Sequence, residues 1–401
     1  MSSPIPLPSE GNDRSIRRVL QAFDELPDAV RYGLAFAIPC LVTLFATPFV
    51  ARAATRLGFV DRPAPHKTHV DPTPYLGGAA VAAGLGITGV VAAGGSIQIA
   101  TIMVAAIAIA CLGFVDDARG LQPPVKLAVE TAAAVALYVT GSGGGVFGTA
   151  VLDLPLTIVW VVVVTNALNL LDNMDGLAPG VAAMSALAFF GISAYEHHYL
   201  VGSLAVALAG ACLGFLPHNF PPARVFLGDA GSLLVGFLLA AIGLNLDLIG
   251  QAGVIRVAVP VLALAIPLFD TTLVVIARFR DRRPVFRGGT DHTSHRLAAR
   301  GLTHVQVALL AIAAQAACSI LAFALYVSSE GTLVAGTIVA TALAGGALLA
   351  MLRLEHPRAP TAEIGSDDLI EVPEAEDLLE SPSAAVDGLG ILNAREDPLD
   401  G

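Results

Sequence analysis

Charge is what this chain is shortest of. Asp, Glu, Lys and Arg make up 14% of its 401 residues, against 55% hydrophobic, and the mean hydropathy is +0.73. A water-soluble globule of this length cannot clothe its surface with so few charges, which excludes that class and points to many membrane spans. Cysteine is scarce as well. Cys40, Cys111, Cys212 and Cys318 stand singly inside apolar runs without CxxC spacing, so they are expected to be small core residues rather than a disulfide framework or a thiolate metal site. No basic face with interleaved aromatics occurs, which removes nucleic acid as a partner. The net charge of −11 says nothing about partners either, because residues 361–401 hold twelve of the 33 acids and one of the 22 basic residues. The remaining 21 acids and 21 Lys/Arg balance.

What the chain does have is a series of apolar runs, near 33–51, 76–95, 97–115, 125–140, 155–172, 176–195, 199–217, 231–250, 255–277, 305–327 and 331–352. They predict an all-α, polytopic membrane protein with about 11 transmembrane helices and no convincing internal repeat. A polar segment, 1–32, precedes this body of 33–354; the first run is long enough to span and is expected to be retained rather than cleaved. Arg52, Arg56, Lys67, Arg119, Lys126, Arg224 and the arginines between Arg278 and Arg300 fall on alternate connections, while the opposite ones hold essentially Arg256. The positive-inside rule then places the N-terminal segment outside and the acidic tail, 355–401, inside, where its composition predicts disorder.

Fixing that orientation gathers the acids. Asp116 and Asp117 end the third run, Asp172 and Asp175 follow the fifth, Asp229 begins the eighth and Asp270 lies in the ninth, all toward the same side as Lys67, Lys126, His292, His295 and Arg296. One such group is ordinarily a capped helix end; so many on one face predict a site. Asp116 and Asp117 are chain neighbours whose like charges call for a metal ion or a protonated partner beside them. Asn166, Asn169, Asp172 and Asp175 recur every three residues and cannot share one helix face, so the helix is expected to end near Asn173–Gly176 and turn Asp172 and Asp175 toward one mouth. The stretch His218–Gly236 carries Asn219, Arg224, Asp229 and Ser232 ahead of an apolar run. An Asp among glycines at a helix start reads either as a plain N-cap or as a carboxylate that grips a divalent cation while free amides face an anion. His292, His295 and Arg296 would come together if a short helix opens after Asp291; that set suits a pyrophosphate better than zinc, which lacks a third ligand. The loop DRPAPHKTHVDPTPYLGG (61–78) adds His66, Lys67 and His69, which either meet phosphate or simply obey the positive-inside rule.

Ordered motifs from about 58 to 304, namely HKTHVDPTPYLGG, FVDDARGLQPPVKL, NALNLLDNMDGLAPG, NFPPARVFLGDAGSLLVG, PLFDTT and DHTSHRL, resemble the polyprenyl-phosphate N-acetylhexosamine-1-phosphate transferase family. The resemblance implies transfer of a sugar-1-phosphate, N-acetylglucosamine-1-phosphate first, from a UDP-sugar to a polyprenyl phosphate at the inner leaflet of the cell membrane. UMP would leave, and a lipid-linked cell-envelope glycan would be started. It implies Mg²⁺, or Mn²⁺ in its place, on Asp229 with Asp172 as a second ligand, and Asp116 and Asp117 at the reacting phosphates. Lys126 and Lys67 would offset charge. Asn169, Asp172 and Asp175 would line the nucleotide-sugar cleft with Asn219 beside Asp229, and His292, His295 and Arg296 would hold the donor diphosphate. Direct displacement is expected in preference to an Asp nucleophile, and a homodimer stays open. Two departures stand out: the family's DGxDG reads DNMDG, with Asn173 for Gly, and HTSH replaces a run of adjacent histidines. The second favours the N-acetylglucosamine branch over the muramyl-pentapeptide branch; the first leaves the sugar open. The competing class is an ion or nucleotide-sugar transporter, which would place its ionisable groups near the midplane on broken helices related by a repeat.

Overall fold

The computed structural model describes residues 26–61, 72–93, 96–143, 145–246, 253–284, 289–328 and 330–354. Most of the N-terminal polar segment, the loop with His66, Lys67 and His69, and the acidic tail lie outside the described residues. The chain runs through α1 (Asp28–Leu57), a two-residue antiparallel pair β1 (Val60–Asp61) and β2 (Thr73–Pro74), α2 (Gly77–Ala93) and α3 (Ile97–Arg119). Next come α4 (Pro123–Leu137), which widens into a π turn over Tyr138–Ser142, α5 (Ala150–Leu171), α6 (Leu177–Tyr195), α7 (Tyr199–Asn219) and α8 (Gly228–Leu244). The described chain closes with α9 (Gly253–Ala263), α10 (Ala265–Arg280), α11 (Thr293–Ala298), α12 (His304–Tyr326) and α13 (Glu330–Arg353).

This is the expected all-α multi-pass membrane architecture. Among the described residues, 8 helices are long and apolar enough to cross a membrane, and α9 with α10 makes a ninth unit bent by 86°. The shorter apolar helices α2 and α8 account for the other two runs. The bend replaces a straight helix expected over 255–277. Pro267 lacks the N–H that would have reached the Ala263 carbonyl. Buried Gln315 on α12 repairs the break, donating to the Ala263 carbonyl at 2.8 Å and accepting the Ile266 N–H at 3.0 Å. Backbone groups freed inside a membrane need such partners, since no water reaches them.

α8 is the hub. Its residues from Ala230 to Gly243 are all buried, and it packs against α2, α3 and α5. Lipid is as apolar as leucine, so this helix is held by close contact more than by any hydrophobic gain over lipid. Glycine supplies the contact: a Cβ on Gly78 would lie 2.2 Å from the Gly231 nitrogen, and one on Gly113 would lie 2.4 Å from the Asp229 carbonyl. These two approaches draw the first turn of α8 against α2 and α3. A separate layer forms where α1 crosses α7 and where α6 lies against α7 and α12. Of the cysteines, Cys212 is in the core, but Cys111 is exposed on the outside of the bundle, contrary to expectation.

Candidate active site

The ends of α3, α5 and α7 and the starts of α6, α8 and α12 meet around a cleft of about 650 Å³. Asp117, Asp172, Asp175, Asn219, Asp229 and His304 each stand where a helix stops or begins, which is where the backbone itself ends its internal bonding. α5 ends at Leu171 and Gly176, at φ +74°, starts α6, so Asp172 and Asp175 both face the cleft as the Asn/Asp/Gly turn predicts. β2 joins the loop before α8: the Phe226 N–H donates to the Pro74 carbonyl at 2.8 Å and the Gly78 N–H to the Leu227 carbonyl at 2.8 Å. Asp61 and Tyr75 are carried to the cleft rim by this pairing. Another cavity of about 600 Å³, bordered by Gln98, Trp160, His198 and Asn245, has no carboxylate in its lining and so offers no comparable charge chemistry.

The adjacent carboxylates of Asp116 and Asp117 serve different partners. Asp116 accepts the Leu121 N–H at 2.6 Å and the Lys126 ammonium. Asp117 turns to α8 and accepts the N–H groups of Asp229, at 2.9 Å, and Ala230, at 3.0 Å. Lys126 also reaches Asp229 at 3.3 Å, and Asn169 donates to Asp229 at 2.8 Å and to Ser232 at 2.9 Å. One expectation is met and one is corrected here. The protonated partner beside the paired acids is the Lys126 ammonium, so their proximity does not itself require a metal. The amides opening α8 are not free for an anion, because the Asp117 carboxylate already sits at that positive helix end.

Asp172 is different. Its carboxylate makes no hydrogen bond among the described residues. Burial, followed by the charges of Asp229, Asp117 and Asp175, pushes its pKa well above the usual carboxylate value. Asp175 accepts the Ala223 N–H at 2.9 Å. Asn219 lies in the cleft wall with both amide atoms spent locally, accepting the Gly176 N–H at 2.9 Å and donating to the Val225 carbonyl at 3.0 Å. It shapes the cleft and has little left to offer a ligand.

The short helix after Asp291 is present as α11, but its charged residues divide. His295 lines the cleft, and burial, then the neighbouring His292, depresses its pKa. His292 is buried against Asp270, whose Oδ2 lies 2.7 Å from its Nδ1, and its ring is 6.0 Å from that of His295. Arg296, assigned by resemblance to the donor diphosphate, does not line the cleft. It is 1% exposed, and its guanidinium donates to the carbonyls of Asp291 (2.9 Å), Met351 (2.7 Å) and Leu354 (2.8 Å). The negative end of α13 attracts it away from the cleft. Asp291 anchors the same region. Burial opposes its charge, but hydrogen bonds from Arg283 and Arg278 outweigh that and hold its pKa below the usual value.

The cleft therefore brings together Asp117, Asp172, Asp175, Asn219, Asp229 and His295. Asp116, Lys126 and Asn169 stand behind them through hydrogen bonds, His292 and Arg296 are turned elsewhere, and Lys67 lies outside the described residues. Tyr75, Phe226 and His304 also line the cleft without having been singled out. Each lay inside or at the edge of a stretch that the sequence marked, and only its exposure to the cleft gives it weight. Gly228 was passed over too. Its φ is +72°, and a Cβ there would lie 2.4 Å from the Tyr75 carbonyl and 2.9 Å from Asp117 Oδ2. Buried Glu130, which accepts from Asn166 at 2.6 Å one helical turn beyond Lys126, was missed because a lone Glu in an apolar run has no spacing to announce it.

Residues 99–247 match the glycosyl transferase family 4 model. The chain is 35% identical over 288 residues to a probable undecaprenyl-phosphate N-acetylglucosaminyl 1-phosphate transferase of Bacillus subtilis, covering 69% of this chain and 79% of the relative. It is 35% identical to the decaprenyl-phosphate N-acetylglucosaminephosphotransferase of Mycobacterium tuberculosis, covering 69% and 78%. A phospho-N-acetylmuramoyl-pentapeptide-transferase of Desulforudis audaxviator is 36% identical over 54% of this chain and 75% of its own.

Proposed function

The chain belongs to glycosyl transferase family 4, and on that premise we propose that it moves a sugar-1-phosphate from a UDP-sugar to a polyprenyl phosphate, releasing UMP. N-acetylglucosamine-1-phosphate is the group favoured, since that is the sugar named for the relatives aligned over the greater share of this chain. The observation that carries the proposal is the convergence of Asp117, Asp172, Asp175, Asp229 and His295 on one cleft at the helix ends. Both reactants are anionic at phosphate, so their encounter needs cationic compensation. The described cleft is instead rich in carboxylate, with Lys126 bonded to Asp116 and Asp229 and Asp172 left without a hydrogen-bond partner. That excess of negative charge fits a divalent cation. Among the described residues no three carboxylate, His or Cys side chains are grouped as a closed metal cage, which suits Mg²⁺, an ion usually held by one or two carboxylates plus substrate phosphates. Asp229 and Asp172 would hold it, with Mn²⁺ as a substitute. When bound, it would polarise the donor diphosphate and stabilise the leaving phosphate.

The chain's own groups have separable tasks. Lys126 keeps a positive charge between Asp116 and Asp229 as charge develops at phosphorus. Asn169 holds the Asp229 carboxylate, and its bond to Ser232 orients the amide that does so. His295 faces the cleft as a donor for the diphosphate. Asp117 is poorly free to act as a nucleophile: its two oxygens accept backbone N–H groups of α8, and attack on phosphorus would disrupt that arrangement. Asp116 is equally engaged. This favours direct attack by the lipid phosphate over a covalent enzyme intermediate. The cationic connections at the cleft end of the bundle favour a cytoplasmic site in the cell membrane.

Transport is the weaker reading. The one broken helix unit among the described residues is plugged at its break by Gln315, and the carboxylates gather at helix mouths. Purified protein given UDP-N-acetylglucosamine, polyprenyl phosphate and Mg²⁺ should release UMP in a chelator-sensitive reaction. A panel that includes UDP-MurNAc-pentapeptide would identify the sugar, and silence with every UDP-sugar would defeat the proposal.

A further inference from the structure

Glu130 is a buried acid that the reaction as drawn so far does not use. It is 0% exposed on α4, one helical turn beyond Lys126, and α4 packs against α5. Its Oε2 accepts from Asn166 Nδ2 at 2.6 Å, and the same amide nitrogen donates to the Val162 carbonyl of its own helix at 2.9 Å, which fixes where Asn166 points. Oε1 is buried with no hydrogen-bond partner among the described residues. A buried polar atom left unpaired is costly, and an apolar pair at 130 and 166 would avoid that cost. What the polar pair adds is direction: apolar contacts inside a bilayer let two helices slide, whereas a hydrogen bond holds them at one height.

That height matters one turn nearer the cleft. Lys126 and Glu130 share a face of α4 at i,i+4, and Asn166 and Asn169 share a face of α5 at i,i+3. The helices run in opposite directions, so the members farther from the cleft pair with each other while the nearer two converge on Asp229. Lys126 Nζ lies 3.3 Å from Oδ2, and Asn169 Nδ2 donates to Oδ1 at 2.8 Å. Of the two carboxylates that Lys126 touches, Asp229 is the more distant. Sliding α4 by one residue, about 1.5 Å, would therefore part that contact first. We propose that Glu130 is a positioning residue: through Asn166 it sets α4 against α5, so that Lys126 and Asn169 meet the two oxygens of the Asp229 carboxylate. This deepens the functional reading above and rests on it. Glu130 touches no substrate; its effect passes through Asn166 to Lys126.

The chain offers a direct probe, because its only lysines are Lys67 and Lys126. Detergent-solubilised full-length protein labelled with ¹⁵N-lysine gives two side-chain signals, which Lys67→Arg assigns. The Lys126 signal should move in Glu130→Ala and stay near its wild-type place in Glu130→Gln, whose carbonyl still accepts from Asn166. Well below the unfolding temperature, kcat for UMP release should fall about tenfold in Glu130→Ala with both substrate KM values within about twofold, and Glu130→Gln should keep kcat within about threefold. Asn166→Ala should match Glu130→Ala, and the double variant should lose no more than either alone. Glu130→Leu, which fills the space without an acceptor, serves in place of a Glu130→Ala protein that does not fold. A Lys126 signal unmoved by loss of the acceptor, or moved equally by Gln, would overturn the inference, as would losses that multiply in the double variant. If the wild-type protein turned over no UDP-sugar, the enzyme reading would fall by itself, while the Lys126 spectrum would still decide whether Glu130 places that side chain.

Discussion

Replacing Asp117 by Asn tests whether this residue is a reactant or the cap that sets Asp229 in place. The carboxylate accepts two N–H groups at the first turn of α8, 2.9 and 3.0 Å away, and its charge lies at the positive end of that helix. Asn keeps one carbonyl acceptor, turns an NH₂ toward the second N–H, and removes the charge. A hydrogen bond to a charged group contributes about 1.5–3 kcal/mol and a neutral one about 0.5–1.5; the helix-end charge adds about 0.3–1. The net loss is therefore about 3–5 kcal/mol. If the α8 terminus relaxes by that amount, Asp229 and the groups bonded to it lose their placement, and kcat should fall about 150- to 4,000-fold at 1.4 kcal/mol per decade. UMP release under saturating substrates measures this, and thermal unfolding in detergent should report a matching loss of stability. Asp117→Ala, lacking any acceptor, should be worse on both counts. A folded Asp117→Asn protein with no turnover above background would mean that the carboxylate itself reacts. Activity within threefold of the wild type would mean that the cap is irrelevant to catalysis.

Three further outcomes follow from the same contacts. Chelation should abolish turnover and Mg²⁺ or Mn²⁺ should restore it, with Asp172→Asn raising the Mg²⁺ concentration for half-maximal rate about tenfold, as expected for losing one of two anionic ligands; an unchanged Mg²⁺ dependence would remove Asp172 from the metal site. Glu130→Ala should destabilise the protein by about 1–3 kcal/mol because Asn166 keeps only the Val162 carbonyl and loses its other acceptor, whereas Glu130→Gln, which keeps an acceptor oxygen, should cost less than about 1 kcal/mol in thermal unfolding. Arg296→Ala should lower the unfolding temperature while leaving donor KM within threefold, since its bonds go to α13; a tenfold rise in KM without loss of stability would return it to the cleft.

Much of the architecture was legible in the chain. The apolar runs determined the helices because a bilayer forces every spanning backbone to bond within itself. The turn at Asp172–Gly176 and the helix after Asp291 were equally local, set by residues that end or start helices through their own side chains and backbone freedom. The ninth run shows the limit: Pro267 marks a break, but nothing beside it points to Gln315, 48 positions further on, as its repair. Asp117 and Arg296 show the same limit at the site. Their types announced charge, yet whether each would face a ligand or a helix end depended on partners 112 and 55 positions away. A side chain's own sequence neighbourhood decides how its backbone folds; which electric field it falls into is decided only when distant helix ends are packed together.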